Sequence, residues 1–147
     1  MAQAPALVRL SNSVARPLIA RFQLGPNGLL TVRGRKSGMP RTVPVAVMDV
    51  DGRRWLLGAY GDVQWVRNLR AAGEGEIRLG GRTQRVTAVE LSIDEATAYF
   101  REVLIPYVRR QPRLVQLFAG RLLGPILADP AAAAHVRPVF ELHDQAA

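Results

Sequence analysis

The sequence predicts an α+β fold, mainly β, whose largely antiparallel strands close into a small barrel flanked by helices. Three observations carry that prediction. Asp51-Gly52 and Gly80-Gly81 each separate two β-type runs, which is the strongest short-range signal for a hairpin. Helical spacing is confined to segments before, between and after those runs. Neither a Gly-x-Gly-x-x-Gly turn nor a Walker loop occurs, so the standard nucleotide folds lack support.

Taken in order, Val14, Leu18, Ile19 and Phe22 recur at helical spacing from Ser11 or Ser13 through Phe22, interleaved with Arg16 and Arg21, and Pro17 is tolerated in the first turns if Ser13 is the N-cap. This basic amphipathic helix can pack on the core or rest on a membrane surface. Gly25-Pro26-Asn27-Gly28 then breaks the chain. Leu29 to Val32 reads as a strand, and Val43 to Val50 as another, paired through Asp51-Gly52 with Arg54 to Gly58. After a turn at Ala59-Tyr60-Gly61, Asp62 is placed to cap a helix with Val63, Val66 and Leu69 on one side, stopped by Gly73. Glu76 to Leu79 and Arg82 to Leu91 form the second hairpin. Ser92-Ile93-Asp94-Glu95 has the capping-box pattern and starts a helix towards Val103, which Pro106 and Pro112 should interrupt. Leu114 to Leu127 is helical, in one piece or in two around Gly124-Pro125. Val136 to Leu142, containing Pro138, is expected as a last strand at a sheet edge.

Between the first two strands lies a loop dense in donors. Arg33, Arg35, Lys36 and Arg41 accompany Ser37, Gly34 and Gly38, and Lys36 is the only lysine of the chain. Arginine offers a planar fork, lysine a mobile point charge, and glycine lets backbone N–H groups approach a ligand. These residues predict an anion site, with phosphate the favoured anion. The 147 residues carry a net charge of +8, which suits an anionic ligand, nucleic acid or an anionic membrane. The arginines are spread from Arg9 to Arg137 and no nucleic-acid-binding signature is present, so nucleic acid is not the expected partner. There is no cysteine, and two histidines near the C-terminus make no convincing metal centre. No apolar run approaches the length of a bilayer span, and the expected location is cytoplasmic, with membrane association through the first helix left open.

Two blocks in register carry a resemblance. Gly34-Arg35-Lys36-Ser37-Gly38, Arg41 and Pro44-Val45 form the first. Gly58-Ala59-Tyr60-Gly61, Trp65, Asn68-Leu69 and Ala71, followed by a hairpin, form the second. Together, from about Leu29 to Leu91, they resemble the deazaflavin-dependent nitroreductase family, and Arg137 to Leu142 resembles its closing strand. The resemblance implies a split β-barrel related to flavin-binding reductases: one cofactor-binding domain over 1–147, with an N-terminal arm and helix (1–28), a cofactor-binding core (29–91) and a helical segment with closing strand (92–147). It implies that Arg35, Lys36, Ser37 and Arg41 hold the phosphate and acidic tail of coenzyme F(420). Pro44 and Val45 would border the deazaflavin ring, Gly58, Ala59, Tyr60 and Gly61 would pass close to it, and Gln64, Trp65, Val66, Arg67 and Asn68 would touch the cofactor from a helix start.

The implied activity is transfer of a hydride from the reduced coenzyme to a small organic acceptor: a quinone, an activated alkene or a nitroaromatic. The cofactor carries the chemistry, which accounts for the lack of a nucleophile, a metal cluster or a carboxylate dyad. Tyr60 is a candidate proton or hydrogen-bond donor to the acceptor, and Tyr107 a candidate pocket residue. Trp65 reads either as a ring-stacking residue or as core, and Asn68 either as a ligand contact or as a brace for a loop. A binding protein for a cofactor or a fatty acid, or a relative using FMN or haem, are the rival readings. A homodimer is compatible with a small barrel that has open edges. Tyr60-Gly61 and the long apolar segment from Ile105 to Ala128 depart from a well-studied branch of the family.

Overall fold

A computed structural model describes residues 27–145; the expected helix from Ser13 to Phe22 lies outside them. Seven strands form one sheet: β1 (Gly28–Arg33), β2 (Pro40–Val45), β3 (Val47–Val50), β4 (Arg53–Leu57), β5 (Glu74–Leu79), β6 (Arg82–Glu90) and β7 (Val139–Asp144). Their spatial order is β2-β1-β5-β6-β7-β4-β3, and every pairing is antiparallel. The two edge strands are separated in sequence only by Ala46, so the sheet must curl until its edges meet there. The expected single strand from Val43 to Val50 is therefore two, the first half pairing with β1 and the second with β4. Asn27 holds the bend. Its backbone N donates to the Val45 carbonyl at 3.0 Å, while its side chain accepts from Val47 N at 2.7 Å and donates to the Val47 carbonyl at 3.0 Å.

The curl encloses a first core. Leu30, Val32, Val45, Val47, Leu56, Ile77, Val86, Phe140 and Leu142 point inward, and Val66 and Leu69 of α1 (Gln64–Ala72) close the mouth. Alternation then turns the neighbours of these residues outward. Met48, Trp55 and Val139 face a second core built with the C-terminal helices. Those are α2 (Ile93–Tyr99), a π-helical turn (Phe100–Leu104), α3 (Ile105–Arg109), α4 (Arg113–Ala128) and α5 (Pro130–Ala134). The β3–β4 and β5–β6 hairpins are as expected, and Asp51 and Gly52 take the positive φ values of 53° and 80° that a primed two-residue turn needs.

Three expectations are corrected and one left open is decided. Asp62 does not cap α1: the N-cap is Val63, without a side-chain bond, and Asp62 pairs instead with Arg67 and Arg70 at 3.2 and 2.8 Å. Pro106 does not interrupt the helix after Ser92, because the π turn lets Ile105 N reach the Phe100 carbonyl and the helix runs on as α3. Pro125 sits inside one unbroken α4. β7 is not an edge strand but lies between β6 and β4, with Pro138 just before it, where its missing N–H costs no ladder bond. The Ser92–Glu95 capping box forms reciprocally, and Gly73 ends α1 in the left-handed conformation. No helix among the described residues is long and apolar enough to cross a membrane.

Candidate functional site

The basic loop is the tip of the β1–β2 hairpin. Gly34 N donates to the Met39 carbonyl at 2.8 Å, Gly38 N to the Gly34 carbonyl at 2.9 Å, and Met39 N to Ser37 Oγ at 3.1 Å. Gly38 adopts φ 73°, a conformation that costs glycine little and other residues much. The tip is tied to α1 through Arg35 and two side-chain amides, one buried and one exposed. Asn68, the one buried polar residue among those described, accepts at Oδ1 from Arg35 N at 3.1 Å and from Arg35 Nη1 at 2.8 Å. Arg35 Nη1 also donates to Gln64 Oε1 at 2.8 Å. This fixes the guanidinium plane and leaves Nε–H and the Nη2 hydrogens directed elsewhere.

Beside the loop is a cleft of about 1020 Å³. The loop lines one side of it with Arg33, Arg35, Lys36 and Ser37, the end of α1 contributes Ala71 and Ala72, and the outer face of the sheet contributes Thr31, Glu74, Glu76 and Arg85. Arg85 faces both carboxylates, at 3.6 Å from Glu74 and 3.4 Å from Glu76, and offsets one of their two charges; Arg33, Arg35 and Lys36 outweigh the other, so the loop sets the sign of the cleft. Lys36 and Arg41 are exposed, and neither side chain has a protein partner among the described residues. Unpaired cations on a rigid hairpin suit a flexible, multiply charged anion. The donor set therefore fits the phosphate-bearing acidic tail of a coenzyme.

Before the start of α1, and packed on its Val66, is the turn from Gly58 to Gly61. Gly58 is buried, and a Cβ there would lie 3.1 Å from Pro138 Cδ, 3.1 Å from Val66 Cγ2 and 3.2 Å from the Gly61 carbonyl. Gly58 N donates to the Pro138 carbonyl at 2.8 Å, tying the turn to the approach of β7. Tyr60 projects from this turn, 37% exposed, and partial burial raises its phenol pKa above the ordinary value, so it stays protonated at neutral pH.

The structure thus brings Arg35, Gln64 and Asn68 into direct contact and puts Lys36 and Ser37 on the same cleft. It places the other candidates differently. Val45 and Val66 are buried in the first core, Trp65 is half-buried against Phe140, and Pro44 is exposed on β2. Arg67 is engaged by Asp62. Tyr107 packs with the second core on α3, away from the set gathered around α1. Two features went unread in the sequence. Glu76 and Arg85 are cross-strand partners, which the two-residue Gly80-Gly81 loop would have given by register alone. Arg137 Nε is buried with no hydrogen-bond partner, and its chain neighbours abut Gly61 and Gly58; nothing in the local sequence marks that.

The model of the F420H(2)-dependent quinone reductase family matches residues 7–114, which include the basic hairpin, the Gly58 turn and all of α1. The chain belongs to that family. It is therefore a deazaflavin-dependent reductase, with coenzyme F420 as its cofactor. Among solved structures it is similar to an F420-H2 dependent reductase (FDR-A), at 21% identity over 79% of this chain and 92% of that one, with a TM-score of 0.48. It is also similar to HutZ, the haem storage protein from Vibrio cholerae, at 13% identity over 89% and 90%, TM-score 0.52. A third likeness is to a putative 5-nitroimidazole antibiotic resistance protein from Bacteroides thetaiotaomicron, at 9% identity over 89% and 80%, TM-score 0.55. At these identities the last two likenesses speak for the barrel alone, and the family rests on the match over residues 7–114, not on the first.

Proposed function

We propose that the enzyme reduces a quinone, gripping the anionic tail of F420 with the β1–β2 hairpin and meeting the acceptor at the Gly58–Gly61 turn. The observation that carries this reading is the Asn68 brace: a buried amide binds both the backbone and the guanidinium of Arg35 to α1. Lys36, Arg41, Ser37 and the remaining donors of Arg35 would bind phosphate and carboxylate groups. Binding energy from that remote tail orients the reacting end. Gly58 and Ala59 keep the turn thin enough for a flat ring to lie against it, and Pro44 at the neighbouring strand end would border it. When bound, the reduced coenzyme supplies the hydride.

A quinone that accepts a hydride becomes a hydroquinone once one proton is added. Tyr60, protonated and partly exposed, would hydrogen-bond the acceptor oxygen and pass it that proton, recovering one from solvent. Titration calorimetry with F420 tests the grip. Lys36→Ala and Arg41→Ala should each weaken binding by about 1.5–3 kcal/mol, the range for hydrogen bonds to charged groups. Growth of the oxidised deazaflavin's absorbance, as the reduced coenzyme is consumed, tests the acceptor. A soluble quinone should react faster than an activated alkene or a nitroaromatic, and Tyr60→Phe should lower kcat with KM little changed. Unchanged affinity in both cation variants, or a quinone slower than the other acceptors, would refute the proposal.

A further inference from the structure

We propose that the outer face of α4, together with the α3–α4 junction, is a docking surface for an anionic lipid bilayer, a role beyond cofactor binding and independent of it. Between Glu102 and Asp129 the sequence contains no acidic residue but four arginines: Arg109, Arg110, Arg113 and Arg121. All four are exposed, and none of their guanidinium groups has a protein partner among the described residues. On α4, Val115, Ala119, Leu123 and Ile126 are buried against the second core. Helical spacing puts Leu114 and Leu117 on the opposite side, in line with Arg113 and Arg121. Both leucines are 55% exposed.

The same face continues through Gly124 and Pro125 with small or apolar groups. Leucines at the centre and arginines at the rim match a bilayer interface, where apolar side chains enter the acyl boundary and guanidinium groups meet phosphate. The charge argues against the other occupants. A second copy would bring four more unpaired arginines against these. Nucleic acid would reward the cations but gain nothing from two exposed leucines. Because α4 is 16 residues long, too short to span a bilayer, it would lie along the surface. Docking there would bring the reductase to acceptors dissolved in the bilayer.

Co-sedimentation of the full chain with vesicles of phosphatidylcholine alone, and of an equimolar mixture with phosphatidylglycerol, tests this. Binding is expected to the mixed vesicles only, and to fall at high salt. The exposed-site double variant Leu114→Gln/Leu117→Gln should lower partitioning about tenfold or more. Arg113→Gln and Arg121→Gln should each lower it about fivefold. The triple variant Arg9→Gln/Arg16→Gln/Arg21→Gln, which alters the amphipathic segment near the N-terminus, should retain most of its binding. Leu117→Trp supplies a second readout that needs no loss of function: its emission should shift to the blue with mixed vesicles. The proposal is overturned if the full chain does not bind mixed vesicles, or if the tryptophan emission does not move. It is equally overturned if the leucine variant binds as before while the N-terminal variant does not, or if duplex DNA displaces the vesicles and is held undiminished by the leucine variant.

Discussion

Replacing Asn68 with alanine removes the buried side-chain bonds between the basic hairpin and α1, and its effect can be worked from those bonds. Oδ1 accepts one neutral bond, from Arg35 N, and one charge-assisted bond, from Arg35 Nη1. A neutral bond contributes about 0.5–1.5 kcal/mol and one to a charged group about 1.5–3 kcal/mol. Arg35 is half-buried, so water can replace part of both, and a net loss of about 1.5–3 kcal/mol is the reasonable expectation. For a chain of this size that lowers Tm by about 4–10 °C. Arg35 keeps its bond to Gln64, so the hairpin should remain folded but sample more positions. F420 binding then has to include the ordering of the hairpin, and Kd should rise about tenfold or more. Thermal unfolding and titration calorimetry on the same samples measure both numbers. Asn68→Ala with wild-type affinity would refute the claim that the amide pre-organises the anion site, whatever its Tm.

Other perturbations probe the frame around the site. Asn27→Ala loses both side-chain bonds across the Ala46 bend and should cost about 1–3 kcal/mol in urea unfolding, with an unchanged m-value if the barrel still closes. Gly58→Ala forces a Cβ to within 3.1 Å of Pro138 and Val66. Its neighbours include backbone and a proline ring, so it should destabilise the fold and reduce turnover more than it weakens F420 binding, as read by kcat against calorimetric Kd. The Glu141 carboxyl is held below its usual pKa by the hydrogen bond from Arg53. A depressed folded-state value means that this pairing stabilises the fold above the ordinary glutamate pKa and is lost as pH falls through the lowered one. Glu141→Gln should therefore flatten the acid limb of a Tm-against-pH curve, and an unaltered limb would exclude this pair as a source of it.

The strands, both hairpins, the capping box and the stop at Gly73 were legible because each rests on local chemistry. What the sequence concealed was set by tertiary pairing. Val43 to Val50 reads as one strand because every residue in it favours extended backbone. That it serves two edges of one curled sheet depends on Asn27, 20 positions before Val47. The edge position expected of β7 followed from Pro138, yet the proline lies one residue outside the ladder. Pro106 reads as a breaker under α-helical rules, and the π turn preceding it escapes those rules. The candidate site divides in the same way. The basic hairpin announced itself through composition, and its cations could be named without coordinates. Asn68 could not be assigned from sequence, since an asparagine in an amphipathic helix has no signature separating ligand contact from brace. The structure gives it the brace, 33 residues from the backbone N–H it holds. Under the proposed function, anion recognition would depend on a pair the sequence keeps apart: charges that any solvated hairpin could carry, and a buried amide that ties Arg35 among them to α1.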